Sequence, residues 1–256
     1  MSKSVAIVTG ASQGIGHSTA LRLARDFGAI VLVARNQEKL VETAEAVSKL
    51  GAEALVIAAD LSLPAAAKSV VEQTLATFGR IDALLNIAGA VPQIDLFEMT
   101  DEQWDAGMAL KLHGARRLTL EAWPALKESK GSVVLISGNS AVLPKAPYAA
   151  VATINAAIVA LAKAFSDRGI TDGVQVNSVL PGAVMTGRRR SYLQRWAPLH
   201  NMTVEEATEK FPREAGITRY GDPEDIADLM AFVVSPAGRW MTGSTLRMDG
   251  GEVKTA

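Results

Sequence analysis

Cysteine is absent from the 256 residues, which removes disulfides, thiolate catalysis and cysteine-ligated metals together. Histidine is nearly absent: His17, His113 and His200 are the only three. None has a second histidine at ligand spacing, so no zinc site is expected. Charge of one sign is not in excess, with 26 Lys plus Arg against 27 Asp plus Glu and a formal net charge of −1. Such a balance gives no global attraction to nucleic acid or anionic lipid, and neither is expected as a partner. The opening apolar run, Val5 to Val8, is too short for a signal-peptide core. A cytoplasmic location is expected, and the missing cysteine fits it. The longest span without a charge, Ala146 to Ala162, approaches the lower limit for a membrane helix. It holds Pro147, Thr153 and Asn155, and so reads as a buried helix.

What is present is a full core's worth of apolar residues, 48% of the chain, in a length that α/β folds commonly use as one domain. Short apolar runs alternate with helical patterns. The runs are Val5 to Val8, Ala29 to Ala34, Ala54 to Ala59, Ile81 to Leu85, Val133 to Ile136 and Val174 to Leu180. Between them, helices are expected from the Ala20, Leu23, Ala24, Phe27 spacing and over Glu38 to Leu50, Pro64 to Phe78, Asp101 to Lys127 and Ala149 to Arg168. Fully apolar strands alternating with helices imply βαβ units, a parallel sheet covered on both faces, and right-handed crossovers. In such a doubly wound sheet, ligands bind just beyond the strands' carboxyl ends.

The first strand ends in Thr9-Gly10-Ala11-Ser12-Gln13-Gly14-Ile15-Gly16, directly before a helix. Glycines let backbone amides approach an anion, and the helix N-terminus adds its dipole. A tight strand-to-helix turn is the plainer reading of the same residues. The loop resembles the T-G-x-x-x-G-x-G loop of the short-chain dehydrogenase/reductase family. Four further motifs follow in order: Asp60-Leu61, Asn86-Ile87-Ala88-Gly89, Pro181-Gly182-Ala183-Val184-Met185-Thr186, and a closing region with Arg219 to Ala227, Thr242-Gly243 and Asp249-Gly250-Gly251. The resemblance implies one three-layer α/β domain over residues 1–256, a doubly wound, Rossmann-like parallel sheet with a substrate lid at about 187–216. It also implies a dinucleotide held by Gly10, Ser12, Gln13, Gly14, Ile15, Gly16, Asp60, Leu61, Asn86, Ala88, Gly89, Asn155, Pro181, Gly182, Val184 and Thr186.

The family uses NAD or NADP. A carboxylate just after the second strand would hold the ribose hydroxyls and repel a 2′-phosphate. Here that turn reads Val33-Ala34-Arg35-Asn36. Arg35 can pair with a phosphate and Asn36 can add a hydrogen bond, which favours NADP with NAD as the alternative. Arg35 as a solvated residue at a helix start is the competing reading.

The family's chemistry rests on an Asn-Ser-Tyr-Lys tetrad in which Tyr transfers the proton, Lys lowers its pKa and holds the ribose, and Ser binds the substrate oxygen. Asn155-Ala156-Ala157-Ile158-Val159-Ala160-Leu161-Ala162-Lys163 matches the family's run from its Lys onward. That places Asn155 at the Lys position, Val151 at Tyr, Gly138 at Ser and Lys111 at Asn, so all four are substituted. A second register puts Tyr148 at Tyr but loses the match and still finds no lysine. Displaced pieces of a donor set remain: Tyr148 one turn before Val151, Lys111 from the neighbouring helix, and Ser137 and Ser140 flanking position 138. These, with Asn155, are the candidate catalytic residues of an NADP(H)-dependent carbonyl/alcohol oxidoreductase. A catalytically silent dinucleotide-binding relative with a regulatory or structural role is the alternative.

Between Gly187 and His200 there is no acidic residue, while Arg188, Arg189, Arg190, Arg195, Tyr192 and Trp196 are present. Four arginines with two aromatics suit a small-molecule substrate, an anionic one in particular; a solvated or subunit-contacting charge run is the plainer alternative. Thr203 and Glu206 form a capping box for a lid helix. The resemblance further implies a homo-oligomer, tetramer or dimer.

Overall fold

The computed structural model describes residues 3–254. Seven strands form one parallel sheet in the order β3-β2-β1-β4-β5-β6-β7. They are β1 (Val5–Thr9), β2 (Ala29–Ala34), β3 (Glu53–Ala58), β4 (Ala83–Asn86), β5 (Ser132–Ile136), β6 (Gln175–Pro181) and β7 (Thr245–Met248). Strand residues alternate between two cores, as the period of two requires. Val5 and Ile7 face α3 (Ala66–Phe78), α5 (Ala115–Ser129) and α6 (Ala149–Asp172). Ala6 and Val8 face α1 (Gly14–Leu23), α2 (Gln37–Lys49) and α9 (Pro223–Val234). The result is a three-layer doubly wound domain whose strand order reverses between β1 and β4.

Four expectations need correction. The helix expected over Asp101 to Lys127 is α4 (Asp101–Gly107), a π-helical segment (Met108–Gly114) and α5, so Lys111 sits in a widened turn. π-segments insert an extra residue per turn and re-aim side chains, which an apolar periodicity does not reveal. Strand β7 was not expected; its pattern is mostly exposed, because it is an edge strand with few buried positions. The Ala-rich α6 buries Ala150, Ile154, Ile158 and Ala162 but exposes Thr153, Ala156, Ala160 and Lys163, so it is a half-buried layer helix rather than a fully buried one. It also runs on to Asp172, where that buried carboxylate accepts from Lys127 Nζ, Arg168 Nε and Trp123 Nε1 at 2.9, 2.8 and 2.9 Å. Over the strand ends, α7 (Gly187–Leu199) and α8 (Val204–Ala215) pack on a small core of their own with Leu193, Ala197, Ala207, Ile217 and Tyr220. The Thr203–Glu206 capping box of α8 is formed in both directions.

The strand ends are joined by a buried hydroxyl. Thr9 Oγ1 accepts from Ile87 N at 2.8 Å and Ala88 N at 2.9 Å and donates to Leu85 O at 3.3 Å. It fixes the loop after β4 against the loop after β1. Thr9→Val keeps the shape but strands two backbone donors, each costing about 1–3 kcal/mol. Urea unfolding should therefore show a clear loss of stability with an unchanged m-value.

Candidate active site

A cleft of about 1270 Å³ lies across the carboxyl ends of the strands. One end is a phosphate-type cradle. Gly10 has φ +67 and Gly14 φ +56, and a Cβ on Gly16 would stand 2.2 Å from Gly10 O, so only glycine closes this loop. The N-cap of α1, Gln13, makes no side-chain cap bond, leaving the first-turn N–H groups open to an anion. Gly10, Ser12, Gln13, Gly14, Ile15 and Gly16 all line the cleft. So do Leu61, Ala88, Gly89, Pro181, Gly182 and Thr186. These features fit a dinucleotide's pyrophosphate.

Arg35 and Asn36 line the same end, exposed at the start of α2. The carbonyl oxygen of Asn36 is occupied, however, accepting from Lys39 N at 2.9 Å as the N-cap of α2. The second cation here is instead Lys39, one helical turn beyond Arg35, a signal available in the i, i+4 spacing. Three expected residues lie off the cleft wall. Asp60 turns its carboxylate onto Ser62, accepting from its N and Oγ at 3.0 and 2.7 Å, bonds that hold its pKa below the ordinary value. Asn86 is buried and donates to Thr119 Oγ1 at 3.1 Å, and its Oδ1 has no partner among the described residues. Val184 packs into the core on the α1 side of the sheet.

The middle of the cleft is built around Lys111. Its ammonium donates to Ser137 O at 3.1 Å and to Asn155 Oδ1. The Asn155 amide donates onward to Ser140 Oγ at 2.8 Å, and Ser137 Oγ donates to the Asn155 backbone oxygen at 2.7 Å. Lys111, Asn155, Ser137 and Ser140 are thereby one network, and all four line the cleft with Tyr148 and Val151. Tyr148 occupies the N-cap of α6. Two glycines make room for the network. A Cβ on Gly138 would come 2.7 Å from Asn155 Nδ2, and one on Gly89 would come 3.0 Å from Lys111 Cδ. Burial, aided by the nearby Arg188 guanidinium, pushes the Lys111 ammonium down to about 8.

The far end is the lid. Arg188, Arg189, Tyr192 and Trp196 line the cleft, whereas Arg190 and Arg195 do not. Arg188 Nη2 donates to Val91 O at 2.8 Å, bridging α7 to the loop after β4. Several cleft residues were not singled out in the sequence: Asn139, Phe211, Tyr220 and Glu252. Tyr220 stood inside the Arg219 to Ala227 motif, where it read as the approach to a helix, and Glu252 follows directly on Asp249-Gly250-Gly251.

Residues 10–252 match the family model described as enoyl-(acyl carrier protein) reductase. The short-chain reductase protein NovJ of Streptomyces niveus is 30% identical over 249 residues, 97% of this chain and 94% of that protein. The chain belongs to the short-chain dehydrogenase/reductase family. Another relative, an uncharacterized oxidoreductase of Thermotoga maritima, is 31% identical over 248 residues, 96% of each chain. Among solved structures, L-sorbose reductase from Gluconobacter frateurii, complexed with NADPH and L-sorbose, superposes with a TM-score of 0.95. It is 29% identical, and the match covers 100% of this chain and 98% of that one. The relatives of this family member are thus oxidoreductases along its whole length.

The Lys111 pKa also makes a stability prediction. Its folded value of about 8 lies below the ordinary 10.5, so between the two the unfolded state binds more protons and stability rises with pH. The cost of burying the charged form is complete below the folded value and is relieved above it. Lys111→Met abolishes this slope. Urea midpoints measured on either side of the window should show wild type gaining on the variant as pH rises; parallel curves would contradict the burial of a charged amine.

Proposed function

We propose that the protein is an NADP(H)-dependent oxidoreductase interconverting a carbonyl and an alcohol on a small molecule, with an acid–base set unlike its family's tetrad. The observation that carries this reading is the Lys111 ammonium, held at the cleft floor by Ser137 and Asn155 with its pKa drawn down to about 8. A general acid or base works best when its pKa lies near the operating pH. By motif counting, Lys111, Gly138, Val151 and Asn155 stand where the family has Asn, Ser, Tyr and Lys. Val151 can neither give nor take a proton, so the proton must come from elsewhere. When bound, the dinucleotide supplies or accepts the hydride. In the reductive direction, Lys111 holds a proton for the carbonyl oxygen. Ser140 Oγ accepts from Asn155 and so keeps its own hydrogen to donate to that same oxygen. Tyr148, on the cleft wall at the start of α6, is the second candidate donor.

The cofactor assignment is supported by Arg35 and Lys39 beside the glycine cradle and by the NADPH complex of L-sorbose reductase. NAD is the alternative. Arg35→Ala should weaken NADPH by about 1–3 kcal/mol, the worth of a charge-assisted hydrogen bond, and leave NADH nearly unchanged. Equal losses in a fluorescence titration would refute a 2′-phosphate role for Arg35. A homo-oligomer, tetramer or dimer, is supported by large apolar side chains left exposed towards the end of the chain, Trp240 at 98% and Phe232 at 47%.

Turnover on a panel of ketones and alcohols tests the chemistry. Lys111→Met is expected to cut kcat by ~10²–10⁴ with NADPH affinity retained, and Tyr148→Phe to cut it less. The reverse ranking would make Tyr148 the donor. A folded wild type that binds NADPH but turns over nothing would favour the catalytically silent reading.

A further inference from the structure

We propose that the lid end of the cleft is an anion subsite, formed by Arg189 and Tyr220, that takes a carboxylate carried by the substrate; this rests on the oxidoreductase reading of the same cleft. Tyr220 is only 8% exposed, yet its hydroxyl has no hydrogen-bond partner among the described residues. Buried hydroxyls in folded proteins are nearly always paired, so an orphan on a residue that lines the cleft is a donor left for a ligand atom. Arg189 stands beside it, the guanidinium carbon 5.8 Å from the Tyr220 ring centre. The rings of Phe211 and Tyr192 lie 5.1 and 5.6 Å from the same guanidinium. A cation held against three aromatic rings keeps its charge and loses freedom to swing into solvent, so its donors are pre-organised.

No carboxylate among the described residues ion-pairs with Arg189 or with Arg188, which also lines the cleft. The acidic side chains nearby have other partners. Glu252 Oε2 accepts from Asn139 Nδ2 at 2.7 Å and Ala183 N at 3.3 Å, and Glu214 stands 3.7 Å from Lys210. Asp95, also in the cleft lining, accepts from Phe97 N at 3.1 Å. Burial keeps the Tyr220 phenol above its ordinary pKa, hence protonated and able to donate. One O–H donor and one planar guanidinium form a pair that an acceptor-only group with two oxygens completes.

A phosphate shares that chemistry, and the cofactor carries phosphates. The open amides of α1 at the glycine cradle already provide for them, whereas Arg189 and Tyr220 pack with Phe211 of α8 in the lid. The carboxylate is therefore assigned to the substrate.

The test is calorimetric and needs no turnover. Pyruvate, levulinate and phenylpyruvate, each paired with its primary amide, are titrated into the protein loaded with NADP⁺. At least one acid should bind about tenfold or more tightly than its amide. Tyr220→Phe and Arg189→Gln should each erase that preference with NADPH affinity retained. Tyr220→Phe also deletes an unpaired buried hydroxyl, so the melting temperature without ligand should hold or rise. A residue serving only as structure would lower it. Acids and amides binding alike, neither binding, or variants that keep the preference would overturn the proposal. So would variants that weaken NADPH and leave the acid-to-amide ratio intact, which would give the site to a cofactor phosphate. A retained preference without turnover on any oxo acid would remove the oxidoreductase reading and leave the subsite standing.

Discussion

The arrangement of the cleft floor follows from one constraint, the accommodation of an ammonium group beneath a dinucleotide-type cradle. Lys111 lies in a π-helical segment, where the widened turn brings its long stem over Gly89 and its amine to the end of β5. Burying a cation is costly unless its donors find acceptors. Here the acceptors are Ser137 O and Asn155 Oδ1. Asn155 is in turn oriented by Ser140, and Gly138 must lack a side chain for its amide to lie where it does. The residues at the floor are thus mutually dependent. A side chain added at position 138 meets the amide that orients the lysine's acceptor, so the effects of changing these positions singly will not add.

A near-neutral chain nevertheless concentrates cations along this cleft. Arg35 and Lys39 stand at one end, Lys111 in the middle, and Arg188 and Arg189 at the lid. The sheet topology explains how a chain of net charge −1 gathers these cations along one cleft. Each of these residues follows a strand or belongs to an element that crosses the strand ends, and the reversal of strand order between β1 and β4 opens the crevice there. Anionic groups on a cofactor and on a substrate would each meet cations there.

The family fold is shared with reductases of different substrates, so the fold alone assigns no chemistry. The chemistry must be argued from local features: a lysine carried by a π-turn, a valine at position 151 of the cleft wall, and a lid whose Arg189 lies against the rings of Tyr192, Phe211 and Tyr220. The bridge from Arg188 to Val91 O ties that lid to the loop that Thr9 holds in place through Ile87 and Ala88. Packing of the strand ends is thereby connected mechanically to the geometry of α7.

The sequence by itself determined the layered α/β sheet, because apolar runs such as Val5 to Val8 and Ala29 to Ala34 have no other way to bury both faces. It also determined the glycine cradle, because close backbone approach is written in residue type at Gly10, Gly14 and Gly16. Tertiary structure alone decided the rest. An edge strand such as β7 buries too little to imprint a pattern, and a π-turn leaves no periodicity of its own. The Lys111–Asn155 pair joins residues 44 positions apart, and Tyr220 meets Arg189 only because two lid helices fold back over the strand ends. Local propensity is a property of neighbours along the chain, whereas the charge and hydrogen-bond partners of a site belong to neighbours in space.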